Sequence, residues 1–169
     1  GEYAVPALLA EIVSGKDTAM ALSCRDLIVK IGRTSVYPLC TAMESLDAAT
    51  QQTICGMLTE IGYEHAVPAL RGLAEDSSNT MDVREAAEVA LRSLGANTSV
   101  SLSAAWADLS VSHFKGFASL LPYPADAENM IWAYDDFTGL QGTPVATEIY
   151  HSIRSMPVSY THLRAHETP

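Results

Sequence analysis

A beat of proline and glycine runs through residues 3–95. Three segments open alike, YAVPALLAEI from Tyr3, TSVYPLCTAM from Thr34 and EHAVPALRGL from Glu64, each placing a proline (Pro6, Pro38, Pro68) at the head of an apolar stretch. Three others close alike, on Ile31–Gly32, Ile61–Gly62 and Leu94–Gly95. The unit is about 30 to 33 residues long, and Gly32 and Gly62 each precede the next proline by six residues. Proline is tolerated in the first turn of a helix, where its missing N–H has no partner to lose. Glycine suits the left-handed position just past a helix end. Each unit therefore reads as helix A opening near proline, a short turn, and helix B closing at glycine.

Aligning the B helices on their glycines tests this reading. The columns one, four, five and eight residues before glycine hold Ile31/Ile61/Leu94, Ile28/Leu58/Leu91, Leu27/Met57/Ala90 and Cys24/Ile54/Ala87. That spacing makes one face of an α-helix, so all four columns are expected in a shared core. The opposite face of the third B helix carries Arg84, Glu88 and Arg92 at i,i+4 spacing. Asp47 and Asp82 are placed to cap their B helices.

The unit length and the AVPAL and aliphatic–Gly signatures resemble HEAT repeats, in particular the short bacterial subtype also found in phycobilisome-lyase-like proteins. The third unit, AVPALRGLAED through DVREAAEVALRSLG with Asp82–Val83–Arg84 at the head of helix B, is the most similar. The first two units carry Thr18–Ala19–Met20 and Ala48–Ala49–Thr50 there instead. The resemblance covers residues 3–95 and implies an all-α αα-solenoid of about three helix pairs. It also implies a binding role for the exposed helix faces, since stacked pairs bury a continuous core and leave long surfaces open.

Composition narrows the function classes. Hydrophobic residues make up 48% and aromatics 7%, a core of small and aliphatic side chains suited to close-packed helices. With 20 acidic against 10 basic residues and a formal charge of −10, the chain is a poor ligand for phosphate backbones or anionic membranes, whereas a partner with a basic surface fits. No apolar run reaches the ~20 residues that span a bilayer. Cys24, Cys40 and Cys55 are odd in number and lack ligand spacing, which speaks against a disulfide framework or zinc site and leans toward a reducing, cytoplasmic setting. The chain opens inside a helical pattern with neither Met nor signal peptide, and so reads as truncated.

Past Gly95 the register fails, since Ser101 stands where the next proline is due. After a polar linker (96–101), Leu102, Ala105, Trp106, Leu109 and His113 can line a helix from Leu102 to about Phe117. Met130–Tyr134 and Leu140–Thr143, joined by a turn over Asp135–Gly139, read as a short β-hairpin. Thr143–Pro144 is expected to open a last helix over Val145–Met156. Residues 1–95 are thus read as a repeat solenoid and 102–156 as a small, mostly helical module. Residues 157–169 read as a non-native tail, because VSYTHLRAHET (158–168) resembles, in a single frame, the translation of a transposase adapter used in sequencing libraries.

Little in the chain points to chemistry. His65 precedes the third AVPAL and reads as a turn residue, and His113 as a structural neighbour of Trp106 and Phe114. Glu148 and His151 have the Glu-x-x-His spacing of di-iron bundles but lack the further ligands such sites need. Asp126, Glu128, Asp135 and Asp136 gather near the hairpin without calcium-loop spacing. Trp132 and Tyr134 offer aromatic contact area or packing. The cysteines sit on apolar faces, disfavouring a nucleophile. No catalytic, cofactor or metal residues are assigned. The expectation is a non-catalytic scaffold or adaptor that binds a protein or peptide, with contacts first sought at Gln51, Gln52, Glu60 and Arg92. The alternative implied by the resemblance is a phycobilin-lyase-like or other enzyme-accessory subunit.

Overall fold

The computed structural model describes the backbone of residues 1–165 and the side chains of residues 1–156. The reading of residues 157–169 as an adapter-derived tail lies outside the described side chains. The chain is mostly helical with one two-stranded hairpin, and it forms two compact units. One comprises residues 1–96 and 132–142, the other 97–131 and 143–169.

In the first unit the A helices are α1 (Val5–Ser14), α3 (Val36–Met43) and α5 (Val67–Glu75), and the B helices are α2 (Thr18–Ile31), α4 (Ala48–Ile61) and α6 (Met81–Ser93). Pro6, Pro38 and Pro68 all fall in the first turn, each helix being entered through a short 3-10 turn one or two residues earlier than the proline. Gly32, Gly62 and Gly95 have positive φ values of 73°, 69° and 63°. At the end of α6 the amide of Gly95 donates to the Arg92 carbonyl and that of Ala96 to the Leu91 carbonyl, the paired closure that a left-handed glycine permits. Asp47 caps α4 as expected, its Oδ1 accepting from the Thr50 amide at 2.9 Å. Asp82 does not cap α6: that role belongs to Thr80, whose Oγ1 accepts from the Val83 amide, while Asp82 lies in the first turn. The cap must precede the first turn so that its side chain can fold back onto free amides, and Asp82 is two residues too late. Asp17 caps α2 with bonds from the Ala19 and Met20 amides.

Helices pack in succession: α1 on α2, α3 on α4 and α5 on α6, with α2 also against α4 and α4 against α6. The columns Ile28/Leu58/Leu91 and Cys24/Ile54/Ala87 are buried throughout. Ile31, Ile61 and Leu94 are half-buried at the helix ends. The column Leu27/Met57/Ala90 divides, since Met57 and Ala90 are fully buried and Leu27 is 48% exposed. The expectation of a uniform core fails at Leu27, where no helix among the described residues covers that side of α2.

The hairpin is β1 (Glu128–Asp135) and β2 (Gly139–Ala146). Asp135 Oδ1 accepts from the amides of Phe137 and Thr138 and from the Thr138 hydroxyl, and Gly139 takes φ 73°, a tight loop closed at a left-handed glycine. Pro144 lies within β2 rather than opening a helix, so the expected start at Thr143–Pro144 is corrected. The last helix, α8, begins at Thr147. A strand at a sheet edge tolerates proline because no ladder bond is lost there. Within the first unit, Tyr37 of α3 fixes β1 through its hydroxyl, which donates to the Trp132 carbonyl and accepts from the Trp132 amide at 3.2 Å.

In the second unit α7 (Leu102–Phe114) packs against α8 (Thr147–Ala165). Ser101 caps α7 through a bond from the Ala104 amide, and Gly116, φ 69°, closes it. Buried Asn129 holds the loop before β1 to the head of α8. Its Oδ1 accepts from the Tyr123 amide, and its Nδ2 donates to the Tyr123 carbonyl and the Thr147 hydroxyl.

Candidate interaction surface

Most of the residues with chemical potential stand apart from one another, His113 and His151 excepted. His65, half-buried, meets Tyr63 edge-on with ring centroids 4.7 Å apart, and burial pulls its pKa below the usual imidazole value, Glu64 and Arg33 acting in opposite directions. It is a turn residue, as expected. Cys24 and Cys55 are buried and Cys40 is half-buried, none in a disulfide. Burial pushes the Cys55 thiol up to about 11, well away from the depressed values that activate a nucleophilic cysteine. Asp126, Glu128, Asp135 and Asp136 are exposed. Asp135 is held below the usual carboxylate range by the loop bonds it accepts, so its role is to shape the turn. Trp132 is buried with its indole over Gly142, where an added Cβ would lie 2.8 Å from the ring. It is a packing residue and not a contact surface.

His113 does not keep the company of Phe114, which is 80% exposed. An α-helix turns by 100° per residue, so sequence neighbours point in different directions. His113 is buried instead against α8, with its Nδ1 3.4 Å from Nδ1 of His151 and the Tyr150 ring beside both. In such a contact one imidazole donates and the other accepts. Burial lowers the His151 pKa. Glu148 is exposed, and among the described residues no group of three or more His, Cys, Asp or Glu could hold a metal ion.

The surface residues expected to make contacts divide as well. Gln51 is buried, its Nε2 donating to the Met43 carbonyl at 3.0 Å, and so ties α4 to the end of α3. A side chain can be polar and still face inward when a helix-end carbonyl needs a donor. Gln52 is half-buried. Glu60 is exposed and paired with Arg25 across α2 and α4, and Arg92 is exposed opposite Glu88 at 3.5 Å. Asp82, Glu85 and Glu88 leave the outer side of α6 acidic and exposed.

One buried acid stands apart. Glu2 is fully buried and its pKa is raised to about 7 by burial, against the opposing influence of the Trp132 indole and the Gly1 amino group. Nothing in the pattern marks this position, because its neighbour Trp132 lies 130 residues along the chain. Among the described residues no helix is long and apolar enough to cross a membrane. No family model, no curated protein and no solved structure matches this chain.

Proposed function

We propose that residues 1–95 form a short HEAT-type αα-solenoid and that the protein is a non-catalytic scaffold for a protein or peptide with a basic surface. The observation that carries the reading is the order of helix contacts, each A helix on its own B helix and each B helix on the next. Arrays of this kind present rows of helix faces to partners. The formal charge of −10 and the exposed acids of α6 favour a basic partner, which such a field draws in at an enhanced rate.

The test uses a fluorescently labelled arginine-rich peptide, titrated with the whole chain at low and physiological salt. Saturable binding that weakens with salt is expected, since exposed charges are screened over about 8–10 Å. Charge reversal of Glu85 and Glu88 to Lys should weaken it roughly 3- to 10-fold, in line with a loss near 1 kcal/mol. Reversal of Asp135 and Asp136 at the hairpin loop should leave it unchanged. Absence of binding, or equal loss from both pairs, contradicts the proposal.

A further inference from the structure

The three B helices are built alike but are not covered alike. Twelve residues before the closing glycine stand Met20, Thr50 and Val83, and five before it stand Leu27, Met57 and Ala90. In α4 and α6 both positions are buried: Thr50 is 6% exposed, and Met57, Val83 and Ala90 are 0% exposed. In α2 both are open, Met20 at 51% and Leu27 at 48%. The two positions lie seven residues apart, two helical turns, and so form one stripe. In α4 this stripe adjoins Glu60, three residues after Met57, which pairs with Arg25 of α2, and α6 packs in turn on α4. On α2 the same stripe is apolar and meets solvent.

The other end of the array differs in kind. The side of α6 that would meet a following B helix carries Glu85, Glu88 and Arg92, all exposed, with Met81 at its N-terminal end. A charged outer face is what a terminal unit of a repeat array needs for solubility. It also makes a poor cover for Met20 and Leu27, since burying those acids and Arg92 against apolar side chains costs desolvation energy without return. Head-to-tail stacking of this chain on itself is therefore disfavoured.

We infer that the open stripe of α2 is the seat of a further helix pair of the same kind, with α1–α2 an interior pair of the array and α6 its capped end. The inference rests on the solenoid reading above and continues an interface the chain already uses twice. The seated helix would present apolar side chains to Met20 and Leu27. Its closing glycine would stand six residues ahead of Pro6, the spacing kept by Gly32 and Gly62.

That spacing sets the test. A second copy of residues 33–62, placed directly before Gly1, puts its glycine six residues ahead of Pro6 and sets another α4 beside α2. The extended chain is expected to melt several degrees above the original. Leu27→Glu should cancel that gain while shifting the original chain by no more than about 2 °C, since surface changes are usually within about 0.5 kcal/mol. A Leu27→Cys thiol gives a readout independent of melting: it should react with a thiol reagent at least 10-fold more slowly in the extended chain. An unchanged melting temperature, a gain that survives Leu27→Glu, or equal labelling rates would each overturn the inference. So would sedimentation of the original chain as a dimer that Leu27→Glu dissociates, because a second copy would then occupy the stripe. None of these readouts involves the arginine-rich peptide, so failure here and failure of the scaffold proposal are separable.

Discussion

Glu2 sits in an environment far from the usual one of a carboxylate. Its carboxyl is buried and its pKa stands near 7 instead of 4.5. An acid with a folded pKa above its unfolded value favours the protonated fold. Its contribution is therefore intact below about pH 4.5 and is lost as pH rises through 7. Glu2→Gln keeps the shape and removes the charge. The variant should match the parent at pH 4.5 and exceed it at pH 8 by about 1–3 kcal/mol, as the net cost of burying the charge implies. Denaturant unfolding at the two pH values measures this, and a stability gap independent of pH would contradict it. The position was invisible in the sequence, where Glu2 is an acid ahead of the first proline. Gly142 was equally silent. Only the Trp132 indole resting on it explains why a strand interior, where glycine is otherwise unfavourable, has no side chain there.

At the scale of elements, the pairing of α7 with α8 includes an imidazole contact. The 3.4 Å approach of the two Nδ1 atoms needs one donor and one acceptor, a condition two charged rings cannot meet. Burial lowers the His151 pKa, so its contribution is fully present above the unfolded value of about 6.5 and is lost as pH falls through the lower folded value. Amide exchange corrected for intrinsic rate should show residues 102–114 and 147–156 losing protection between pH 7.5 and pH 5. His151→Gln, which does not charge, should blunt that loss. Equal acid sensitivity in both proteins would remove the histidine pair as its cause. The helix ends were largely legible. Prolines, glycines and Asp47 declared themselves because capping is local chemistry, satisfied within a few residues of the terminus. Thr80 and Asp82 show the limit, for both can cap and the choice turns on where the chain leaves the extended conformation. At Pro144 a local signal was overridden, since strand pairing reached past a residue that would otherwise open a helix.

For the whole molecule, the buried columns Ile28/Leu58/Leu91 and Cys24/Ile54/Ala87 run through all three B helices, so neighbouring helix pairs stabilise one another. Leu58 is 1% exposed at the middle of that row. Leu58→Ala should cost ~2–5 kcal/mol, a large share of the 5–15 kcal/mol typical of domains. Far-UV circular dichroism during thermal melting is the measurement. A transition unchanged from the parent would mean that the B-helix register is wrong. Because α2 and α6 both pack on α4, exchange protection should fall in them as well as in α4.

The sequence by itself determined the helical units, their length, most of their ends and two of the four core columns, because each follows from periodicity and from backbone chemistry acting over a few residues. The tertiary structure decided which members of a column are covered, as Leu27 against Met57 shows, since burial depends on whether a neighbouring helix stands there. It decided that Gln51 faces inward, that His113 meets His151 and that Glu2 lies beside Trp132. The contacts of His113 and Glu2 join residues 38 and 130 positions apart, and no local pattern encodes a distance closed only by folding.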